Sequence, residues 1–188
     1  MRVLQTGRIP GVAGRMPWPA RNVLALKAVA RIIFGIFWAV DGALKFQPGL
    51  VGAFPDMVSE AAQGQPGWLA GWFSMWHSVV VTDPAFFVYG TGACELAVAI
   101  CLLLGLARKA VYVFGFFLSL LIWAVPEGFG GPYGPNSTDI GTGIVYALGF
   151  LMLAVISSAL GPSRLSVDRA IESRWGAWSR LAEFRRGS

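Results

Sequence analysis

The chain has 188 residues and a formal net charge of +5; 55% of its residues are apolar and only 13% are charged. A soluble domain of this length would carry about 25% charged residues, so the composition indicates a polytopic membrane protein. Basic residues in such a protein usually report its orientation. No basic patch on a soluble fold is visible, which argues against a nucleic-acid-binding domain.

The chain begins with a segment of mixed basic and glycine character. Residues 1–21 contain several arginines and glycines but lack the apolar core of about 7–15 residues that a secretory signal peptide requires. We therefore expect a flexible basic N-terminal tail there.

Four apolar segments follow, at residues 23–46, 84–106, 109–125 and 138–159. Each is near the roughly 20 residues that cross a bilayer core, where an unpaired backbone is too costly for anything but a helix. The predicted fold is therefore all-α, with a four-helix transmembrane domain over residues 22–160. Basic residues before the first span, between the second and third, and after the fourth share one side of this arrangement. That distribution predicts cytoplasmic N and C termini.

Two further segments have the pattern of interfacial helices. Trp68, Trp72 and Trp76 are spaced by four residues, which predicts a short helix with three indoles on one face at the outer membrane surface. Residues 161–188 carry an apolar stripe among arginines, which predicts an amphipathic helix on the cytoplasmic side. Its partner is either anionic membrane lipid or another protein subunit, and the pattern leaves both open.

Ionisable residues inside the spans are the most informative feature, because lipid penalises them unless they are paired or hydrated. A helix rises about 1.5 Å per residue. Because the first two spans start on opposite sides of the membrane, this rise places Arg31 and Glu95 at nearly the same depth. We expect them to form a buried ion pair and treat both as candidate catalytic residues. Asp41 and Lys45, four residues apart, can pair near the outer surface.

Other polar and aromatic residues converge on the outer half of the bundle, which makes them candidates for substrate binding. The candidates are Asp41, Lys45, His77, Trp123, Glu127, Tyr133 and Asp139. Structural explanations remain open for several of them. A buried ion pair can simply lock the helix order, and His77 can be an interface residue. Asp139 can complement a helix dipole, with Asn136 or Ser137 as the cap.

The few histidine and cysteine side chains restrict the metal cofactors that this chain could bind. His77 is the sole histidine, and Cys94 and Cys101 are the only cysteines. A bis-histidine haem, an iron–sulfur cluster and a zinc site each need more ligands. We therefore expect no metal cofactor held by this chain alone.

The segment AVPEGFGGPYGPNSTDIGTG, residues 124–143, connects the third and fourth spans. It lacks the G-x-x-x-x-G-K-[ST] pattern of a phosphate-binding loop. Pro126 ends the preceding helix, and the glycines permit positive φ angles and close backbone approach. We expect a stiff lid over the outer polar pocket, with Glu127 and Asp139 at its two edges.

Three segments resemble the DoxX/DoxD family of four-helix bacterial and archaeal membrane proteins: RIIFGIFWAVDGALKF, YGTGACELAVAICLLLGLARK and VPEGFGGPYGPNSTDIGTGIVYAL. The third is similar to the DoxD-type subunit of thiosulfate:quinone oxidoreductase, and the resemblance covers about residues 25–160. It implies a subunit in a bacterial or archaeal cytoplasmic membrane that oxidises a small sulfur compound such as thiosulfate and passes the electrons to quinone.

The alternative is a non-enzymatic accessory subunit of a larger respiratory or photosynthetic membrane complex, in contact with other protein subunits through its small-residue helix faces. The two hypotheses differ in whether Glu95 is needed for turnover. A small transporter is a third hypothesis, although the spans contain no inverted repeat and no paired broken helices.

Overall fold

The computed structural model describes residues 18–134, 137, 139–160 and 166–184. Most of the predicted basic tail and Asn136 therefore lie outside the described residues. Within them the protein is all-α, as predicted. Its helices are α1 (Trp18–Leu44), α2 (Leu50–Ala61), α3 (Ala70–Thr82), α4 (Pro84–Leu104), α5 (Arg108–Ala124), α6 (Thr142–Leu160), α7 (Val167–Glu172) and α8 (Ser179–Ala182).

Three of the described helices are long and apolar enough to cross a membrane, at Asn22–Leu44, Pro84–Leu104 and Thr142–Leu160. The protein is therefore a multi-pass membrane protein. α5 has 17 residues, which gives it a length of about 25 Å. It packs antiparallel along α6, with Gly115 against the Phe150 ring at one level and Gly143 against Ser119 at another. α5 corresponds to the predicted third span, and its crossing of the membrane stays a prediction.

Local signals delimit α4. At its start the Asp83 carboxylate accepts a hydrogen bond from the Phe86 N–H at 3.0 Å, and Pro84 occupies the first turn, where its missing N–H is harmless. At its end Gly105 adopts a left-handed conformation with φ of 67°, the usual glycine terminator. These signals account for the agreement between α4 and the predicted second span.

The core of the bundle is aromatic. Phe34 and Trp38 of α1 contact Tyr146 and Phe150 of α6, with ring centroids 4.8–5.6 Å apart. Trp38 and Phe150 are almost completely buried. The opposite face of α1 exposes large apolar side chains at Val29, Ile33, Phe37, Val40 and Leu44. A continuous apolar surface of this kind suits a helix that faces lipid.

The connection between α1 and α4 folds as two helices. Trp72 and Trp76 pack with an apolar cluster made by Val58, Val80 and Val125. The Trp72 Nε1–H also donates to the Ala124 carbonyl at 2.9 Å. Trp68 lies in a short 3-10 turn before α3 with 81% of its surface exposed. The prediction of three equivalent indoles on one surface face is therefore wrong, because two of them anchor α3 to the bundle.

The described part of the C-terminal segment folds back onto the bundle. α7 and α8 have six and four residues and are separated by a 3-10 turn at Gly176–Trp178, which differs from the predicted continuous amphipathic helix. Asp168 is fully buried. It accepts hydrogen bonds from the Ala107 and Arg108 N–H groups and from Trp178 Nε1. The chain turns back because this carboxylate caps α5.

The bundle has two ends. The basic end holds Arg31, Arg108 and Asp168. The glycine-loop end holds the described residues of the segment 124–143. Which of them faces the cytoplasm stays a prediction from the charge distribution.

Candidate functional site

The antiparallel packing of α1 on α4 brings Lys45 and Glu95 together. The position of a Cβ on Gly42 lies 2.9 Å from the Leu96 side chain, and one on Gly92 lies 2.8 Å from Lys45, so these glycines let the two backbones approach closely. At that level Lys45 Nζ lies 3.5 Å from Glu95 Oε1. The Glu95 side chain is only 3% exposed, and Lys45 is therefore its principal counter-charge.

The predicted Arg31–Glu95 ion pair is wrong. The Arg31 guanidinium packs against Gly105 and interacts electrostatically with Tyr112, Arg108 and Asp168. Gly105 lies about ten residues beyond Glu95 on α4, which is roughly 15 Å along the helix. Arg31 thus belongs to the basic end, and Glu95 to the glycine-loop end.

The error arises from the assumption that α1 and α4 span the same layer. α4 begins well before the level at which α1 ends, and its first turns pack against α2 and α3. Phe87, in those turns, belongs to the apolar cluster with Trp72 and Trp76. Counting depth from Pro84 therefore placed Glu95 too far into the bundle.

A polar cavity of about 150 Å³ lies around the Lys45–Glu95 pair. It is formed between α1, α4, α5 and α6. Four of the predicted site residues line it, Asp41, Lys45, Glu95 and Glu127. Sequence reasoning did not include the other polar and aromatic residues of its lining, which are Trp38, Ser119, Thr142 and Tyr146.

Two buried polar atoms that belong to this lining have no hydrogen-bond partner, Glu95 Oε2 and Trp38 Nε1. The first is an acceptor and the second is a donor. A buried polar group without a partner is costly, by about 1–3 kcal/mol. The cavity is therefore suited to a small molecule that both donates and accepts hydrogen bonds.

An apolar groove of about 230 Å³ adjoins the polar cavity and shares Lys45, Ile122 and Glu127 with it. The rest of its lining is mostly aliphatic and aromatic and comes from α2 to α5, including Leu50, Phe54, Met57, Trp76, Val80, Phe87, Val88, Leu118 and Leu121. The groove can hold a hydrocarbon chain beside the polar cavity.

The third space is a vestibule of about 710 Å³ at the glycine-loop end, lined by Gly64 and by described residues of the loop between Glu127 and Thr142. Tyr133 and Asp139, two of the predicted site residues, are exposed and line it. The Tyr133 hydroxyl donates to the Phe129 carbonyl, and Asp139 Oδ1 accepts from the Gly141 N–H. Both contacts shape the loop, and neither residue lines the polar cavity.

Glu127 is the described residue that lines all three spaces. Its Oε2 accepts a hydrogen bond from the Gly143 N–H at 2.8 Å, so it caps the first turn of α6 from the other side of the loop. Burial raises the pKa of the Glu127 carboxyl above its usual range, and the bond from Gly143 opposes this effect. Ser137, the predicted cap, instead bonds within the loop to Gly134 and Pro132.

The remaining predicted residues are outside the polar cavity. Trp123 Nε1–H donates to the Ile140 carbonyl at 2.8 Å, and its ring lies 5.3 Å from that of Phe129, so this indole holds the loop. His77 is half-buried on α3 and lines none of the three spaces. Within the described ranges, no three His, Cys, Asp or Glu side chains are grouped to hold a metal ion.

The missed residues had weak signals in the sequence. Trp38 lies seven residues before Lys45, on the same face of α1. Tyr146 follows Thr142 by four residues and so shares its face of α6. Neither spacing distinguishes a cavity wall from ordinary core packing, and only the helix arrangement brings these side chains to Glu95.

Comparison with known proteins gives one match. The family model described as DoxX matches residues 26–127, more than half of the chain. No curated protein and no solved structure matches the chain. The matched range includes Lys45, Glu95 and Glu127 but ends there. Nearly all of residues 125–148 lies beyond it, so the DoxD-type resemblance of that segment stays a prediction from the sequence.

Proposed function

The chain belongs to the DoxX family, and from that premise we propose that it is the membrane subunit of a quinone-linked oxidoreductase. In this proposal the quinone ring occupies the polar cavity and its isoprenoid tail lies in the apolar groove. The proposal extends to the sulfur substrate and to partner subunits. It places the protein in a bacterial or archaeal cytoplasmic membrane, with both termini on the cytoplasmic side.

The observation that carries the proposal is the pair of unpartnered polar atoms in the polar cavity. In the proposed complex Glu95 Oε2 accepts a hydrogen bond from a quinol hydroxyl, and Trp38 Nε1–H donates one to a quinone carbonyl. Both residues line the cavity, and both atoms are buried without a hydrogen-bond partner in the described part of the chain. A dry cavity of about 150 Å³ accommodates benzene, so a space of this size has room for one six-membered ring. The adjoining apolar groove supplies the burial that a prenyl tail requires.

The charged residues around the cavity have roles that follow from quinone chemistry. Reduction of a quinone takes up two electrons and two protons, and gives a quinol. The Lys45 ammonium would stabilise negative charge on the ring oxygens as the electrons arrive. The carboxyl groups of Glu95 and Asp41 would hold and transfer protons at those oxygens.

The electron donor in this proposal is a sulfur oxyanion such as thiosulfate, oxidised with the help of a partner subunit. Two thiosulfate ions lose one electron each and join through a new S–S bond to give tetrathionate, while one quinone gains the two electrons and two protons. The described lining of the vestibule contains Glu127 and Asp139 and no lysine or arginine. The vestibule therefore repels a dianion, and we place the sulfur chemistry on the partner.

Quinone binding is the first test. The protein is reconstituted in lipid nanodiscs, and its affinities for a short-tailed ubiquinone and for the corresponding ubiquinol are measured calorimetrically. We expect Glu95→Gln to weaken binding of the quinol form by about tenfold, the effect of losing a hydrogen bond to a charged acceptor. Glu60→Gln is the matched control, since Glu60 is exposed on α2 and lines none of the three spaces.

The groove is tested separately. Thr91 lines it, and Thr91→Phe should displace the tail of a long-chain quinone while leaving a tail-less benzoquinone analogue bound. Equal affinities in all variants would refute quinone binding at this site. Absence of thiosulfate-dependent quinone reduction by the protein with its co-purifying subunits would refute the sulfur donor and leave the quinone site intact.

A non-enzymatic accessory subunit is the second candidate, and the position of the Lys45–Glu95 pair favours it. The pair joins α1 to α4, two helices that pack closely along most of their length, so fixing their register is a sufficient role for it. Purification of the intact assembly decides the matter. If Glu95→Gln leaves turnover of the assembly unchanged, and the protein is stable only inside it, the accessory role is correct.

A further inference from the structure

We infer that protons enter and leave the polar cavity through Glu127, from the vestibule at the glycine-loop end. This inference deepens the proposed function and rests on it for the identity of the final proton acceptor, the bound quinone. The route itself is a property of the protein without ligand. It makes Glu127 a proton carrier as well as the cap of α6.

The first support is the position of Glu127. It is the described residue common to the vestibule and to both inner spaces, and Thr142 beside it also lines the vestibule and the polar cavity. The polar cavity and the vestibule therefore meet at one carboxyl group. A carboxyl group can receive a proton from water on one side and deliver it on the other.

The second support is the set of titratable groups that face Glu95. Asp41 and Lys45 of α1, Tyr146 of α6 and Glu127 line the same small cavity as Glu95. A space of about 150 Å³ that is lined by polar groups is large enough for several water molecules. Protons can therefore move between these groups over short distances once they have passed Glu127.

The third support is the barrier toward the basic end. Toward the basic end the buried core is made mostly of apolar residues, Val98, Ala99, Leu102, Val111, Phe150 and Leu153, with Tyr112 as its titratable member. The apolar side chains neither carry protons nor hold water. Tyr112 interacts with Arg31, Arg108 and Asp168 of the basic end and lines none of the three spaces. The glycine-loop end is therefore the side from which the cavity exchanges protons.

Infrared spectroscopy after a pH step tests the route directly, without quinone. The protein in nanodiscs is stepped from alkaline to acidic pH, and the carboxyl bands that disappear in Glu95→Gln report protonation of Glu95. We expect Glu127→Gln to slow this protonation by about a hundredfold, the contribution of one positioned proton carrier. Glutamine keeps a carbonyl oxygen for the Gly143 N–H, so the cap of α6 is retained.

Glu60→Gln is again the control, and in this variant Glu95 should be protonated at the wild-type rate. The inference is overturned if Glu95 is protonated at the wild-type rate in Glu127→Gln as well. It is also overturned if Glu95 takes up no proton over the whole accessible pH range. Circular dichroism of Glu127→Gln checks that α6 is intact. A second variant, Glu127→Asp, retains a carboxyl group and should recover part of the rate of Glu95 protonation. Failure of quinone to bind would leave this result standing, so the two proposals fail independently.

Discussion

Lys45 and Glu95 lie 3.5 Å apart at the glycine-loop end, and their contact fixes α1 on α4 in the register that brings Arg31 to Gly105. This register is testable by charge exchange. Lys45→Glu alone or Glu95→Lys alone puts like charges together and should lower the free energy of unfolding by about 2 kcal/mol. We expect less than for a fully buried pair because the Lys45 side chain is 29% exposed.

The double variant Lys45→Glu/Glu95→Lys should recover at least half of that loss, measured by denaturation in mixed micelles. The exchange of Arg31 with Glu95 serves as the comparison and should recover nothing. Recovery by the Arg31 exchange, with none by the Lys45 exchange, would contradict the observed register.

A second prediction concerns the basic end, where Arg108 is 3% exposed and pairs with Asp168 at 2.8 Å. Asp168→Ala removes its main counter-charge together with the cap of α5, and leaves Glu183 as the remaining described partner. We expect a loss of about 3–5 kcal/mol in the free energy of unfolding. Arg169→Ala, at the exposed neighbouring position, should change it by less than about 0.5 kcal/mol. Equal effects of the two variants would exclude a stabilising role for this pair.

The packing of α5 on α6 gives a third prediction. A Cβ on Gly115 would overlap the ring of Phe150, which is fully buried. Gly115→Ala should therefore destabilise the protein by about 1–3 kcal/mol. Gly90→Ala is the matched control in α4, since nothing lies within 4 Å of the added methyl group. The stabilities of both variants are compared by thermal unfolding in the same detergent. If Gly115→Ala leaves the stability unchanged, the two helices can separate without penalty.

The fourth prediction is a pH dependence that arises from Glu127. Burial raises the pKa of this carboxyl in the folded protein, whereas in the unfolded chain it is about 4.3. The folded state therefore retains the proton to higher pH than the unfolded state does. The contribution of Glu127 to stability is largest in acid and declines as the pH rises from about 4 through the folded pKa.

The measurement is the difference in unfolding free energy between wild type and Glu127→Gln across this pH range. Because glutamine does not titrate, the wild type should lose stability relative to the variant as the pH rises. A difference of the opposite sign would mean that the helix dipole and the bond from Gly143 outweigh burial.

Much of the fold could be predicted from hydropathy and turn residues. α4 begins at Pro84 as predicted and ends at Leu104, and α5 lies within one residue of the predicted third span at both ends. Asp83, Gly105 and Pro126 are local signals of helix ends. Each acts through the backbone conformation or hydrogen bond that its residue type favours, so the sequence alone indicates it. The start of α6 at Thr142 is later than predicted because the glycine-rich loop continues through Gly141, whose φ is 87°.

The candidate site was predictable only as a set of residues. Asp41, Lys45, Glu95 and Glu127 were identified and do line one cavity, because charge inside an apolar span is rare and readily recognised. Their pairing was not predictable, since it depends on how far α4 extends past α1, and that is set by packing against α2 and α3. The fold-back of the C-terminal segment was missed for a similar reason: Asp168 interacts with residues about 60 positions earlier.

That separation between Asp168 and the start of α5 has a consequence for biogenesis. The chain emerges from the ribosome in order, so α1 to α6 can all be made before the carboxylate that completes α5 exists. Until then Arg108 lacks its closest counter-charge and the first N–H groups of α5 lack their acceptor. The basic end is therefore the last part of the bundle to be assembled. A nascent chain that stops after α6 would contain α1 to α6 and still expose an unfinished end to quality-control proteases.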